Sequence, residues 1–498
     1  MLPSPLLLCR LAAVVALSLA PGWVLAQKAV RAPKPALPPA IAKALVRAQV
    51  PPDAVTLLVL DASGRQPPRL EHRSTVPMNP ASVMKLVTTY AALDVLGPDY
   101  TWNTRLTLDG SLSDGILHGN LVVRGGGDPK LVVERLQALL GQVQASGVKV
   151  IRGDIVLDRS AFLVPALDAG EFDGEPLRPY NARPDALLIN FKSLVMRFTP
   201  DLANGHARVQ SEPPMAGLLV DETVPLARVS RCGDWRSELR ASVHSPDRIQ
   251  FAGSYSSACG ERLWPTAYAE PATFAARAIE GSWRALGGLL TGSARDATPA
   301  ELAMLRARGT LSGEKAPLRL DAPSLPLRDI VRDVNKFSNN VMAQHLFLTL
   351  GRKAQPGEHP QGTPEAGRAA LAAWWKKILP RQEAPVMDNG SGLSRVERIS
   401  AASLAAMLQV AAQGRVAQDL LDSLPIAGVD ATMRARAAAV TGQAFMKTGS
   451  LRDVTAVAGY ANGASGARYI VVGMVNHPNA GAARPALDAL IQWAVQER

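Results

Sequence analysis

Periodicity, more than any single residue, limits what this chain can fold into. Apolar residues recur at helical spacing near both ends, while a long middle stretch alternates and is broken by glycine and proline. From Ser82 to Leu96 the apolar positions Met84, Leu86, Val87, Tyr90, Leu93 and Leu96 follow a helical repeat that Gly97-Pro98 ends. Helical patterns return at 272–286, 327–350, 364–378, 401–412 and 482–496. Short apolar or alternating runs predict strands at 55–60, 444–449, 454–461 and 467–476, and hairpin strands across 101–125. Gly125-Gly126-Gly127-Asp128-Pro129 then leads into a helix to about Ser146, and strand-like stretches dominate to about residue 265. At 498 residues, 47% hydrophobic and 19% charged, the chain is too long for one ordinary domain and too apolar to be disordered. The pattern predicts a mixed α/β fold. One domain, residues 41–100 with 300–498, is interrupted by a strand-rich insertion at 101–299 made of two nested subdomains.

The first residues, 1–26, read as an export signal. Arg10 is the only charge before Lys28, an apolar run spans 11–26, and Val24-Leu25-Ala26 is a small-residue cleavage pattern. The run is short and broken by Pro21-Gly22, which favours cleavage over a retained anchor. Residues 27–40, rich in proline and alanine, are expected to form a flexible arm. No later segment has the length and apolarity of a membrane span, which predicts a soluble product outside the cytoplasm. Cleavage removes Cys9 and leaves Cys232 and Cys259, one pair in a compartment where disulfides persist. A bridge between them is expected, the alternative being two separate buried thiols. The formal net charge of +11 suits contact with an anionic polymer, or simply a solvated surface. No dense Lys/Arg run interleaves with aromatics, so no nucleic acid is expected as a partner. Neither a metal nor a cofactor is implied, because the seven histidines are scattered without His-x-x-x-His or paired-cysteine spacing.

Chemistry concentrates in three short clusters. Ser82-Val83-Met84-Lys85 puts a hydroxyl and an amine one helical turn apart on one face. An ordinary lysine, with a pKa of about 10.4, is protonated and no base. Burial beside another cation lowers that value, and Lys85 can then take the Ser82 proton. Alone, the pattern also describes a helix cap with a surface lysine. Chance supplies a second copy, Ser312-Gly313-Glu314-Lys315, among glycine and proline with no apolar helix behind it. Ser338-Asn339-Asn340 interrupts the helical stretch at 327–350 with residues that disfavour helix interiors. This predicts an interhelical turn with Ser338 and Asn340 facing one cleft. Lys447-Thr448-Gly449-Ser450 ends a predicted strand. If that strand is an edge, an extended peptide can pair with it, Gly449 lets the peptide backbone approach, and Lys447 meets a terminal carboxylate.

In this order, Ser-x-x-Lys, Ser-x-Asn and Lys-Thr-Gly resemble the signature of penicillin-binding proteins and serine β-lactamases. Ser82 and Ser338 lie 256 positions apart, room for an insert that small β-lactamases lack. The chain is similar to the class C low-molecular-mass penicillin-binding proteins, the D-alanyl-D-alanine carboxypeptidase/endopeptidases of the penicillin-binding protein 4 type (peptidase family S13). Gly127-Asp128-Pro129, the loop Asp388-Asn389-Gly390-Ser391-Gly392-Leu393-Ser394-Arg395 and the segment 424–430 match family landmarks. Cys232 and Cys259 fall where Gram-negative relatives carry a disulfide.

The resemblance implies a transpeptidase-like domain with an antiparallel sheet flanked by helices. It implies a periplasmic hydrolase without a cofactor that acts on peptidoglycan stem peptides and is acylated by β-lactams. Ser82 is then the nucleophile and Lys85 its base. Ser338 and Asn340 relay the proton and hold the substrate amide, Lys447 and Thr448 hold the terminal carboxylate, and the N–H groups of Ser82 and Ser450 form the oxyanion hole. Arg395 matches the position where a diaminopimelate side chain ends in a carboxylate; a guanidinium fork suits that group as well as it suits loop carbonyls. Asp173 or Glu175 is the acid expected to take the diaminopimelate amine. Arg452 departs from the smaller polar residue of many relatives, which leaves the side-chain preference open. Two readings compete with this one: a β-lactamase-like hydrolase on the same domain, and a non-catalytic murein-binding protein. Membrane contact is at most peripheral, since the last helix, 482–496, is expected to pack on its own sheet.

Overall fold

The two ends of the chain meet in one sheet. In the computed structural model, which describes residues 37–227, 231–308 and 317–496, Val55–Asp61 pairs antiparallel with Arg468–Asn476. The register sets Val55 opposite Val475 and Asp61 opposite Tyr469. The expected export signal, most of the arm at 27–40 and the Ser-x-x-Lys copy at 312–315 lie outside the described residues. Five strands follow in the order Ala444–Leu451, Val454–Asn462, Arg468–Asn476, Val55–Asp61 and Leu70–His72, every pair antiparallel.

Val454–Asn462 and Arg468–Asn476 are apolar almost without alternation because helices cover both faces of the sheet. Ile470, Val472 and Met474 join the core beneath the helices Ala401–Gln413 and Lys85–Leu96. Gly473, facing the other way, meets Leu487 and Leu490 of the last helix, Arg484–Gln496, which packs on its own sheet as expected. The helix Pro39–Arg47 lies against that last helix and begins inside the expected arm. Proline at its start costs no hydrogen bond, and Ile41 and Leu45 are buried, so the arm ends two residues earlier than its composition indicates.

The strand-rich middle leaves and returns through a narrow neck. Ser324 N donates to Trp102 O (2.8 Å), and Trp102 N donates to Ser324 Oγ (3.0 Å). Beyond them Asn103–Ser113 and Arg319–Pro323 run antiparallel. The return therefore falls near 324 rather than 300, because Leu320 and Ala322 pack on the core of the middle segment. That segment has a seven-stranded sheet around Asn103–Ser113 and Ile116–Arg124, and a five-stranded sheet around Ser193–Asp201 and His206–Glu212. These sheets, and a three-stranded one that includes Arg248–Phe251, contribute to one apolar core that includes Phe198, Tyr255 and Trp283. Cys232 and Cys259 are disulfide-bonded at its edge. Among the described residues no helix is long and apolar enough to cross a membrane.

Candidate active site

The three clusters converge where the sheet edge meets the helices. Ser82 sits in a 3-10 turn, Ala81–Met84, that runs directly into the helix Lys85–Leu96. The turn is pinned locally: Asn79 Oδ1 accepts from Ala81 N (2.9 Å), while Asn476 Oδ1 accepts from Asn79 N (2.8 Å). Ser82 is thus inside the helical segment, and its side chain makes no cap bond. Its hydroxyl instead lies 3.1 Å from Lys85 Nζ.

Lys85 is fully buried. Its amine donates to Asn340 Oδ1 (2.6 Å) and to the Ser391 carbonyl oxygen. A neutral amine has two N–H bonds and one lone pair. With both N–H groups directed at these two acceptors, the lone pair is left for the Ser82 hydroxyl. Burial, reinforced by the charge of Lys447, holds the Lys85 pKa well below the ordinary lysine value against the opposing pull of Glu397. Lys447 is also fully buried, and burial brings it down to about 7. The two buried amines are coupled, and the charge of Lys447 is one of the causes that lower Lys85.

The helical stretch at 327–350 breaks as its polar triplet predicts, into Leu327–Phe337 and Asn340–Ala354. Each residue of the triplet has its own task. Ser338 takes a left-handed conformation (φ 56°, ψ 36°) that stops the first helix. Asn339 caps the second by accepting from Met342 N (3.1 Å). Ser338 Oγ then accepts from Lys447 Nζ (2.9 Å), and Asn340 reaches Lys85. Asn340 Nδ2 donates to the Tyr180 carbonyl (3.0 Å), so a residue of the inserted segment fixes which way the amide faces. That amide N–H is therefore already engaged before any substrate amide arrives.

Lys447 lies on the edge strand Ala444–Leu451, whose first residues are bridged by Ile426 and whose later residues have Val454–Asn462 as their one partner strand among the described residues. Its amine also donates to the Thr448 carbonyl (2.8 Å), which leaves one donor for an incoming anion. Thr448 Oγ1 is 3.0 Å from Thr432 Oγ1. Gly449 has a different reason from the expected one. A Cβ there would stand 2.5 Å from Pro80 O and 3.1 Å from Ser82 N, so glycine is required for the serine turn to approach the strand.

Sequence reasoning misses the support behind this cluster. The loop at 388–395 wraps the serine turn, and at Gly392 (φ 79°) a Cβ would fall 2.0 Å from Ala81 O. Glu397, fully buried, holds the loop: its Oε1 accepts from Asp388 N (3.1 Å), Asn389 N (3.2 Å) and Gly390 N (3.0 Å). The only sequence signal is an acid following a turn-rich loop. Burial outweighs these bonds and raises its pKa, and Oε2 has no partner among the described residues. Glu397→Ala would strand three backbone donors and should cost about 2–4 kcal/mol of stability, read as a lowered midpoint in urea unfolding, whereas Glu397→Gln keeps the acceptor and should cost less than half as much.

The outlying candidates separate. Arg395 is half-exposed, pairs with Asp453 (3.1 Å) and stacks on Phe172 (4.5 Å to the ring centroid). It lines a cleft of about 460 Å³ with Phe172, Asn389, Leu393 and Ser394, instead of binding loop carbonyls. Asp173 does not line that cleft. Its carboxylate accepts from Tyr180 OH (2.8 Å) and Asn181 Nδ2 (2.8 Å) and thereby buttresses the Tyr180 carbonyl that holds Asn340. Glu175 pairs with Arg178 (3.3 Å), and the acids in the cleft are Glu171, Glu365 and Asp388. Arg452 is exposed in the turn after Leu451. Ser450 follows Gly449 on the edge strand and is exposed.

The chain is similar to known proteins over nearly its whole described length. A sequence model of the D-Ala-D-Ala carboxypeptidase 3 (S13) family matches residues 38–497. The D-alanyl-D-alanine carboxypeptidase DacB of Haemophilus influenzae is 26% identical over 416 residues, 82% of each chain. The D-alanyl-D-alanine carboxypeptidase of an Actinomadura species is 27% identical over 436 residues, 84% of this chain and 77% of that one. The crystal structure of penicillin binding protein 4 from Haemophilus influenzae superposes with a TM-score of 0.67 at 22% identity, covering 91% of this chain and 99% of that one.

Proposed function

Since the chain belongs to the D-Ala-D-Ala carboxypeptidase 3 (S13) family, and so is a serine-type peptidase of peptidoglycan, we propose the following division of labour among its residues. Ser82 is the nucleophile and Lys85, neutral, its base. A stem peptide lies along the edge strand after Lys447 with its terminal carboxylate on Lys447 and Thr448. Lys85 takes the Ser82 proton as Oγ attacks the penultimate D-Ala carbonyl, and the N–H groups of Ser82 and Ser450 receive the developing oxyanion. The C–N bond then breaks. The departing amine takes up the proton that Lys85 received, relayed by Ser338, which returns Lys85 to its neutral form while Lys447 keeps its charge. Water, deprotonated by Lys85, frees the acyl-enzyme. A cross-linked stem undergoes the same attack at its D-Ala–diaminopimelate bond. Arg395 meets the diaminopimelate carboxylate of the donor stem, and Glu171 or Glu365, rather than Asp173, its amine. The disulfide and the signal-like start support action in the periplasm.

The observation that carries this reading is the Lys85 amine, buried, with two acceptors beside it and the Ser82 hydroxyl 3.1 Å away. Purified mature protein incubated with a stem pentapeptide and with a cross-linked muropeptide should release D-Ala and cleave the dimer. Rapid turnover of a chromogenic cephalosporin with neither peptide touched would make it a β-lactamase-like enzyme instead.

A further inference from the structure

The catalytic cluster is flanked by two clefts, and only one of them is used by the donor stem. The first contains Arg395, which pairs with Asp453 just past the end of the edge strand. The second, about 450 Å³, is lined by Lys130, Arg332, Lys336, Phe337, Asp430 and Arg434, among others. It adjoins the strand nearer Lys447: its Ala431 is next to Thr432, which touches Thr448, and its Phe337 immediately precedes Ser338. The clefts thus lie toward opposite ends of the line along which a peptide would run.

The second cleft is built for an anionic chain. Of its three acids, Asp333 and Asp430 are each neutralised by a lysine, Lys130 and Lys336 respectively, which leaves Asp329 against the two arginines. The Lys336–Asp430 pair, with Asp430 Oδ1 also accepting from Ile426 N (2.8 Å), braces the cleft floor against the segment that precedes the catalytic strand. Arg332 and Arg434 are exposed and have no ion-pair partner among the described residues. Phe337 is 71% exposed, an aromatic surface left beside a catalytic serine. An exposed phenylalanine at a cleft mouth between two uncommitted guanidiniums provides an apolar platform with flanking cations.

We propose that this cleft binds the leaving stem of a cross-linked peptidoglycan dimer, with Arg434 and Arg332 on its free carboxylates and Phe337 against its backbone, so that the enzyme is built for endopeptidase action. The proposal rests on the functional reading above. A carboxypeptidase releases one D-Ala, which Lys447 and Thr448 suffice to hold. An endopeptidase releases a whole peptide, which must lie somewhere beyond them.

Arg434→Glu and, separately, Arg332→Glu test it, with fluorescent-penicillin acylation as the measure of an intact catalytic cluster. Loss of charge-assisted bonds to the leaving stem should lower kcat/KM for a cross-linked muropeptide dimer about ten-fold or more. D-Ala release from a stem pentapeptide and penicillin acylation should stay within about two-fold, because neither substrate reaches this cleft. Wild-type protein should lose a similar factor on a dimer whose leaving stem keeps the carboxylate beside the scissile bond, which Lys447 and Thr448 hold, and has its other carboxylates converted to amides; this arm needs no variant to fold. Equal rates on native and amidated dimers, or equal losses on dimer and pentapeptide in the variants, overturn the proposal. Wild-type protein that releases D-Ala yet leaves the dimer intact also overturns it while the functional reading stands. Failure of wild-type protein to release D-Ala or to be acylated overturns that reading itself, and the proposal with it.

Discussion

Ser82→Ala protein should take up no covalent label from a fluorescent penicillin and release no D-Ala above background, a loss of at least about 10⁴-fold. Among the described residues neither of the nearest hydroxyls is placed to substitute for it. Ser338 sits 2.9 Å from Lys447, the amine that keeps its proton, and Ser391 Oγ donates to Asn389 Oδ1 (2.6 Å) within its own loop. The variant should fold normally, because the Ser82 side chain contributes one bond, to Lys85, and the turn is held by Asn79 and Asn476. Ser312→Ala, which alters a chance copy of the motif, should label like wild type. Labelling retained in the Ser82 variant would move the nucleophile elsewhere.

Lys85→Arg should be nearly as damaging although it conserves charge. A guanidinium does not give up its proton in a protein, so it cannot serve as the base, and it would also force a permanent cation into a buried site beside Lys447. Acylation should fall about 10³-fold or more. The same chemistry sets the pH dependence. Lys85 works in its neutral form, so the rate should fall on the acid side as pH drops through its depressed pKa. Lys447 works in its charged form, so kcat/KM should fall on the alkaline side as pH rises through about 7, where the free enzyme loses that proton. A bound carboxylate favours the cation, so kcat should hold to higher pH than kcat/KM. Lys85→Arg protein that keeps more than about a tenth of wild-type acylation contradicts the assignment of Lys85 as base.

The catalytic triplets are legible in the sequence because each carries a local conflict. Ser338-Asn339-Asn340 sits badly in a helix, so the chain must turn there, and the cap made by Asn339 follows from its side chain alone. The sheet is legible because Val454–Asn462 and Arg468–Asn476 are apolar on both faces. What joins distant parts is not. That Tyr180 orients Asn340 depends on a backbone carbonyl, which any residue type supplies. Asp173 has the chemistry of a ligand for an amine, but nothing in its residue type tells that its loop turns one oxygen toward Tyr180 and the other toward Asn181. The neck at Trp102 and Ser324 joins residues whose pairing no local period records, so composition places the end of the insertion too early. Gly449 is legible as a residue needing space, but not as space needed by Pro80 and Ser82.

The most direct measurement is the site of the acyl bond. Brief exposure to penicillin, digestion with trypsin and fragmentation of the modified peptide should place the added mass on Ser82 within the peptide spanning 74–85, with Ser74 unmodified. An adduct on any other residue, or binding that leaves no bond behind, would contradict an enzyme organised around the Ser82 hydroxyl and the amine beside it.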